Sequence, residues 1–279
     1  MKEFSVPKLP LDDWIDQSLA FLTEHFAFFT KSISEPLEDI IEGIVEGLMY
    51  FPVWVLIIFF SLIGWRVAGN KVALGTLIGL SLLWNLRLWE ATLETFTLVI
   101  VATFIAVLVG IPIGILAAIS KKANHVLMPL MDFMQTMPAF VYLIPAIPFF
   151  GLGVVSALFS TVIFAMPPAI RLTCLGIKQV PTELIEAADA FGSTRFQKLM
   201  KVQFPLAIPT IMAGINQTIM LALSMVVIAA MIGAGGLGGE VWKAIQRLEA
   251  GMGFQAGIAI VILAMILDRI SQKIGQRKM

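Results

Sequence analysis

The run ATLETFTLVIVATFIAVLVGIPIGILAAI (91–119) is apolar over a length that determines the class of structure this chain adopts. A helix needs about 20 consecutive, predominantly apolar residues to cross a bilayer core of about 30 Å. The charged residue Glu94 stands close to the beginning of the run, and no other charge follows it before residue 120. The segment therefore predicts a transmembrane helix.

Similar apolar segments lie on both sides of this run. The further predicted spans are 51–66, 71–87, 126–150, 154–173, 207–233 and 254–272. Of the 279 residues, 58% are hydrophobic and 14% are charged, whereas soluble domains are about 45–50% apolar and about 25% charged. The sequence thus predicts an all-α fold, a polytopic transmembrane helical bundle of about seven spans, and excludes an ordinary soluble domain.

Span 126–150 is interrupted by Pro138, Pro145 and Pro148, and span 154–173 is expected to end near Pro167 and Pro168. A proline inside a helix removes a hydrogen-bond donor and kinks the helix, which is tolerated where protein or a water-filled cavity satisfies the freed carbonyl. Span 126–150 is therefore the first candidate for lining a pathway through the membrane.

The first fifty residues differ from the rest, because acidic and apolar residues recur there at helical spacing. We predict two amphipathic helices, the second beginning near Ser34 with Pro36 in its first turn. They carry too much charge to span, so we place them in the membrane interface or against the bundle. The divisions of the chain are then 1–50 with these acidic helices, 51–90 with two peripheral transmembrane helices, 91–272 with the transmembrane core, and 273–279 with a basic tail.

Basic residues in the loops predict the orientation. If the 174–206 loop is cytoplasmic and the spans alternate from there, cytoplasmic segments carry most of the 19 lysines and arginines. This distribution is what the positive-inside rule requires of a multi-pass protein. The N-terminus is then outside and the C-terminus cytoplasmic, in the plasma or inner membrane of a cell.

The hydrophilic segment KQVPTELIEAADAFGSTRFQKLMKVQFPLAIP (178–209) interrupts the core on the predicted cytoplasmic side. It reads as a short amphipathic helix, a break at Gly192, a second helical turn and a proline stop. One interpretation is an ordinary solvated loop. The other is a docking element, because the small side chains of Ala187 and Ala188 allow a partner to approach the helix closely.

The same segment resembles the EAA signature of importer-type ABC permeases. In that signature the triplet E-A-A is followed by three residues, a glycine, nine residues, and a hydrophobic-x-apolar-proline motif. The matching positions here are Glu186, Ala187, Ala188, Gly192, Val202, Phe204 and Pro205. The resemblance implies a cytoplasmic coupling helix that sits in a groove of an ATPase subunit, with Glu186, Ala187, Ala188 and Gly192 as the contacts and Phe204 and Pro205 completing the motif.

A narrower resemblance covers nearly the whole chain. Segments 132–150, 164–181 and 214–238 are similar to those of glycine betaine/proline betaine uptake permeases. This resemblance implies a type I, MetI-like permease core, a permease homodimer, two separate ATPase subunits and an extracellular substrate-binding protein. It also implies that ATP and magnesium bind on the ATPase and that this chain holds no cofactor. A permease for another small solute, such as choline, carnitine or an amino acid, is the alternative within the class.

Polar and aromatic residues near the interrupted span are the candidates for the translocation pathway. They are Phe133, Gln135, Pro138, Phe140, Tyr142, Asn216 and Ser224. Polar groups at membrane depth face protein or water, and aromatic faces attract a quaternary ammonium through cation–π interactions. The alternative interpretation is hydrogen bonding and packing between helices, which also applies to Asp132 and Gln217.

Other classes of function are disfavoured by what the sequence contains. A membrane enzyme needs a nucleophile with a base or a set of metal ligands, and Cys174, His25 and His125 are far apart with no ligand spacing. Segment 233–238, GAGGLG, matches a dinucleotide fingerprint in form, but it belongs to an apolar span, so we interpret it as a packed break in a helix. The sequence has no internal repeat typical of secondary transporters, and its net charge of +0 argues against nucleic acid.

Overall fold

The computed structural model describes residues 9–276, with the side chains at 27–29, 31 and 276 left aside, and every regular element in that range is helical. The α-helices are α1 (Leu11–Met49), α2 (Val53–Ala68), α3 (Asn70–Asn85), α4 (Trp89–Ile119), α5 (Lys121–Thr136), α6 (Leu143–Phe150), α7 (Val154–Lys178), α8 (Thr182–Ala190), α9 (Arg195–Lys198), α10 (Phe204–Ala229), α11 (Gly236–Arg247) and α12 (Ala250–Gln276). Short 3₁₀ turns at Ala139–Tyr142 and Ala230–Ile232 and a π-helical turn at Leu199–Gln203 complete them. The prediction of an all-α helical bundle is confirmed.

Helix α7 forms the centre of the bundle, between α4 and α10. Small residues let the three backbones approach closely. A Cβ atom on Gly114 of α4 would lie 2.6 Å from the carbonyl oxygen of Ile170, and one on Gly214 of α10 would lie 3.1 Å from that of Pro168. The core of the protein is thus built on backbone contact between α4, α7 and α10.

The number of spans is smaller than the predicted seven. Four helical segments in the described range are long and apolar enough to cross a membrane: α4, α7, Arg195–Ile232 and α12. Two bent pairs raise the number to six if each pair is one span. Helices α2 and α3 have 16 residues each, which corresponds to about 24 Å at about 1.5 Å per residue and falls short of a bilayer core of about 30 Å. Seven spans were predicted because α2 and α3 are apolar enough to span a membrane, although each helix is too short to do so.

The interruption predicted in span 126–150 is present at Pro138, whereas those predicted at Pro145 and Pro148 are absent, because both prolines lie inside the continuous helix α6. Pro145 stands in the first turn of that helix, where proline is tolerated. Helix α5 ends at Thr136, Pro138 adopts an extended backbone with ψ 138°, and the next helical segment, Ala139–Phe150, runs at 111° to α5. The hydroxyl of Tyr142 donates a hydrogen bond to the carbonyl of Met134 across the bend. This hydrogen bond joins the segment after the bend to the end of α5 before it.

The expected end of a span near Pro167 and Pro168 is wrong. Both prolines are buried inside α7, which continues for ten more residues to Lys178. Proline removes one backbone hydrogen bond and kinks a helix, but packing can hold the helix together. Here α4 and α10 flank the prolines, so the helix passes through them.

The two amphipathic helices predicted near the N-terminus are a single helix. Helix α1 runs without a break through Pro36, which is exposed. The proline was interpreted as a helix start because it is common in the first turn. The second half of α1 packs on α4, α6 and α7, and Ile41 is 4% exposed there. This agrees with the expectation that the segment packs against the bundle.

The glycine segment 233–238 is a tightly packed turn between α10 and α11. The carboxylate of Glu94 accepts a hydrogen bond of 2.6 Å from the backbone N–H of Gly236, and the hydroxyl of Thr95 accepts one of 2.8 Å from that of Leu237. Gly236 has φ +66°, and a Cβ there would lie 2.5 Å from the Thr95 hydroxyl oxygen. The turn has no room for a nucleotide, and α4 caps the N-terminus of α11.

We expect Glu94→Ala to lower thermal stability, because it removes a charged acceptor from the first turn of α11. A hydrogen bond to a charged group contributes about 1.5–3 kcal/mol, and about 1 kcal/mol shifts the unfolding midpoint by about 2–4 °C in a domain of this size. The buried thiol of Cys174, the only cysteine in the sequence, allows the midpoint to be measured with a thiol-reactive dye. Glu90→Ala, at an exposed position one turn earlier in α4, is the control. Equal midpoints for the two variants would contradict the cap.

Candidate coupling surface and polar groove

Helices α8 and α9 form a short hairpin that projects from the ends of α7 and α10. Helix α8 ends in a Schellman turn, in which the N–H of Gly192 donates to Asp189 and the N–H of Ser193 donates to the carbonyl of Ala188. Gly192 has φ +74°, a left-handed conformation that glycine adopts without strain. A Cβ there would meet nothing within 4 Å, so the backbone angle alone accounts for a glycine in this place.

The second arm of the hairpin continues directly into the membrane. Thr194 and Gln197 form a capping box that starts α9, and Lys198 bonds to Asp189 of α8 at 2.5 Å. A π-helical turn, Leu199–Gln203, then joins α9 to α10, so that Arg195–Ile232 is one helical segment of 38 residues. Single π turns inside α-helices are frequent at functional sites. The hairpin is thereby connected to α10 through helix rather than through loop.

The predicted coupling residues divide into two sets. Glu186 and Ala187 are exposed on α8, whereas Ala188 is only 9% exposed and packs inward. Phe204 is half-buried and packs with Ile177 of α7 at the base of the hairpin. Pro205 is exposed in the first turn of α10. Glu186 and Ala187 are thus available to a partner, while Ala188 and Phe204 hold the hairpin to its own chain.

An exposed apolar patch covers the hairpin and was not predicted. Leu184 is 43% exposed, Phe191 90% and Phe196 71%. Large apolar side chains grouped on an aqueous surface mark binding sites for other proteins. The available signal in the sequence is the presence of Phe191 and Phe196 in a largely hydrophilic segment. Neither residue belongs to the EAA signature.

A polar groove lies between α5, α7 and α10. Arg171 of α7 donates hydrogen bonds to Gln135 at 2.5 Å and to Asp132, both on α5, and forms an ion pair with Asp132. The groove has a volume of about 470 Å³, and Asn124, Lys178 and Gln217 also line it. Gln135 therefore has the open polar surroundings expected of a pathway residue.

The aromatic candidates for the pathway are placed differently. Phe133 and Phe140 are 62% and 53% exposed, on either side of the bend at Pro138, which is itself exposed. Tyr142 is 7% exposed, and its ring contacts Phe164 edge-on at 5.5 Å. The prediction that Tyr142 lines the pathway is not supported by this position, because the ring and hydroxyl are used in holding the bend.

The two candidates on α10 also differ. The side-chain amide of Asn216 donates to Asp268 of α12 at 2.9 Å, and its oxygen accepts from the hydroxyl of Ser271. These contacts favour the helix-packing interpretation of Asn216. Ser224 is exposed, and its hydroxyl donates to the carbonyl of Met220 at 3.0 Å. Ser224 therefore lies on an exposed face of α10, and Gln217, two turns earlier in the helix, is exposed on the same face.

Arg171 is the residue of the groove that the sequence did not single out. It lies within the predicted span 154–173, beyond the prolines near which that span was expected to end. Its charge within a helix that stays apolar on both sides was the available signal, since ionisable residues inside a span usually mark a functional site.

A helical membrane bundle with a projecting hairpin of this kind has the type I architecture of ABC importer permeases. The fold is shared with the inward-facing methionine ABC transporter MetNI, at a TM-score of 0.62 and 23% identity over 67% of this chain and 93% of that chain. Residues 110–279 match the family described as binding-protein-dependent transport system inner membrane component. The chain belongs to this family of multi-pass membrane permeases.

Similarity to individual relatives extends beyond residues 110–279 to nearly the whole chain. The glycine betaine transport system permease protein of Bacillus subtilis is 52% identical over 98% of this chain and 97% of its own length. The glycine betaine/carnitine transport permease protein of Listeria monocytogenes is 50% identical over 98% of both chains. The glycine betaine/proline betaine permease of Escherichia coli is 46% identical over 96% of this chain and 76% of the relative.

Proposed function

We propose that this chain is the membrane-spanning subunit of an ABC importer that takes up glycine betaine or a related quaternary-ammonium solute. The observation that carries the proposal is the projecting hairpin, because its second arm is continuous with α10 and its first arm presents free side chains to a partner. Relatives similar over nearly the whole chain bear this function by name, which supports the choice of substrate.

The hairpin is the docking site for a separate ATPase subunit in this proposal. Glu186 and Ala187 are exposed on α8, next to the apolar side chains of Leu184 and Phe191. An apolar centre flanked by a charge is the usual composition of a protein interface. ATP and magnesium then bind on the ATPase, and this chain contributes the mechanical connection. Transport, not catalysis, is its role.

A second copy of the permease completes the pathway in this proposal. Gln217 and Ser224 are exposed on one face of α10, which lies within a membrane span. Polar side chains there face protein or water rather than lipid. A homodimer with this face at its centre satisfies them. The substrate arrives from an extracellular binding protein, with the N-terminus outside and the hairpin in the cytoplasm.

The cycle follows from these parts by alternating access. Closure of the two ATPase subunits on ATP moves the two hairpins together, and each hairpin carries its α10 with it. The paired spans then open outward to receive the solute from the binding protein. Hydrolysis of ATP releases the hairpins, and the spans open inward.

The test is uptake by the reconstituted complex of permease, ATPase and binding protein in liposomes that contain ATP. We expect uptake of radiolabelled glycine betaine that depends on ATP and on the ATPase subunit. Choline, carnitine and proline as competitors rank the related solutes. Uptake that persists without the ATPase would indicate a secondary transporter instead, and uptake of proline alone would reassign the substrate.

A further inference from the structure

The ion pair of Asp132 and Arg171 is exposed, and Arg171 lies inside the candidate span α7. The Arg171 and Asp132 side chains are 38% and 58% exposed, respectively. Arg171 stands seven residues before the end of α7 at Lys178, about 10 Å along the helix at about 1.5 Å per residue. The pair is therefore neither buried in the protein core nor located at the helix end.

Such a position is incompatible with contact to lipid. Charged side chains inside a membrane span are unfavourable toward lipid, and such residues line water-filled cavities or pair with one another. A pair that served only to join α5 to α7 would be expected to be buried between the two helices, whereas both of these side chains are exposed. Here Arg171 and Gln135 line the groove of about 470 Å³ that Gln217 of α10 also lines, and Asp132 contacts Arg171 beside it. Charged and polar side chains inside a span line water-filled cavities, so we expect this groove to be hydrated.

We propose that Arg171, Asp132 and Gln135 form a low-affinity binding site for a zwitterion on the translocation pathway. Arg171 binds the solute's carboxylate, and the Asp132 carboxylate balances the solute's quaternary ammonium. The inference rests on the proposed function, because it deepens the account of how that solute crosses the membrane.

The donors of Arg171 fit this role. A guanidinium has five N–H donors in a planar fork, and within the described residues the hydrogen bonds of Arg171 go to Gln135 and Asp132 through its two terminal nitrogens. Three donors are left for a carboxylate in the groove. Gln135 and Asp132 fix the plane of the fork, so that it is oriented before the solute arrives.

The charges also match. Arg171 lines the groove and Asp132 pairs with it beside the groove, so that a positive and a negative group stand next to each other, as they do in a zwitterion. A quaternary ammonium has no N–H to donate, so its recognition depends on a nearby carboxylate or on an aromatic face. Phe133 follows Asp132 on α5 and is 62% exposed.

The experiment measures the number of glycine betaine molecules taken up per ATP hydrolysed by the complex in liposomes. We expect Arg171→Gln to lower this ratio by about tenfold or more, since a hydrogen bond to a charged group contributes about 1.5–3 kcal/mol and about 1.4 kcal/mol is a factor of ten. Arg171→Lys keeps the charge but lacks the planar fork, so we expect an intermediate ratio. Arg269→Gln, at an exposed position of α12 outside this groove, is the control and should match the unaltered complex.

The outcomes separate the site from simple packing and from the proposed function. If Arg171 only held α5 to α7, Arg171→Gln would lower uptake and ATP hydrolysis together, with an unchanged ratio and a lower Cys174 labelling midpoint. That result, or full uptake by Arg171→Gln, would overturn the site. If the unaltered complex fails to take up glycine betaine, the proposed function itself fails, whatever the variants do.

Discussion

Gly192→Val is expected to abolish most of the coupling between ATP hydrolysis and uptake. The residue has φ +74° at the end of α8, where a residue with a side chain is strained by about 1–2 kcal/mol and a β-branched one by more. To relieve the strain, the Schellman turn must open and α8 must change its angle to α9. We expect uptake by the reconstituted complex to fall by about tenfold or more, because about 1.4 kcal/mol corresponds to a factor of ten.

Two control variants isolate the cause of this effect. Gly192→Asn should retain much of the uptake, because asparagine tolerates the left-handed conformation better than other side chains do. Gly69→Val changes a glycine with φ +88° and nothing within 4 Å of its Cβ position, between α2 and α3. It should leave the ratio of uptake to hydrolysis unchanged. Full uptake by Gly192→Val, or an equal loss in Gly69→Val, would show that the hairpin geometry is not what couples the two activities.

Gly114→Val is expected to destabilise the whole bundle. A Cβ at Gly114 would lie 2.6 Å from the carbonyl oxygen of Ile170 and 2.7 Å from Cβ of Thr173. Neither atom is the end of a flexible side chain, so α4 and α7 must separate. Overpacking costs about 1–3 kcal/mol and occasionally more, and we expect a loss of about 3 kcal/mol or more at this backbone contact. Labelling of Cys174 during heating should then show a midpoint lower by about 6–12 °C, at about 2–4 °C per kcal/mol.

The matched control is the same substitution at Gly75 of α3. A Cβ there would meet nothing within 4 Å, so Gly75→Val should leave the midpoint within about 2 °C of the original, as surface substitutions usually change stability by less than about 0.5 kcal/mol. If both variants unfold at the same temperature, the close approach of α4 and α7 does not limit stability.

Hydropathy predicted most of the fold, because a membrane leaves the backbone no alternative to helix in such segments. The run at 91–119 lies within α4, and the segments at 207–233 and 254–272 lie largely within α10 and α12. The break at Pro138 was also predictable, because proline disfavours the helical conformation at the preceding residue, Met137, which is extended. These features are local, and local chemistry is sufficient to determine them.

Features that depend on contacts between distant helices were not predictable in the same way. Proline chemistry alone favours a helix end near Pro167, and only the packing of α4 and α10 explains why α7 continues. Arg171 lies just beyond this proline, and its contact with Asp132, 39 positions away in sequence, depends on the packing of α5 against α7. Similarly, Pro36 marks a helix start by its local preference, although α1 continues through it. The coupling motif could be located from its spacing, whereas the polar groove required the structure.

The continuity of Arg195–Ile232 has a consequence for the timing of transport. At about 1.5 Å per residue, a 38-residue helix is a lever about 57 Å long. If this helix tilts by about 5° around its midpoint, each end, about 28 Å from that midpoint, moves by about 2.5 Å, and the two ends move in opposite directions. One end carries the α9 arm of the hairpin, and the other reaches the turn that Glu94 caps. In the proposed cycle, we therefore expect the two ends of the pathway to change width together, one narrowing as the other widens.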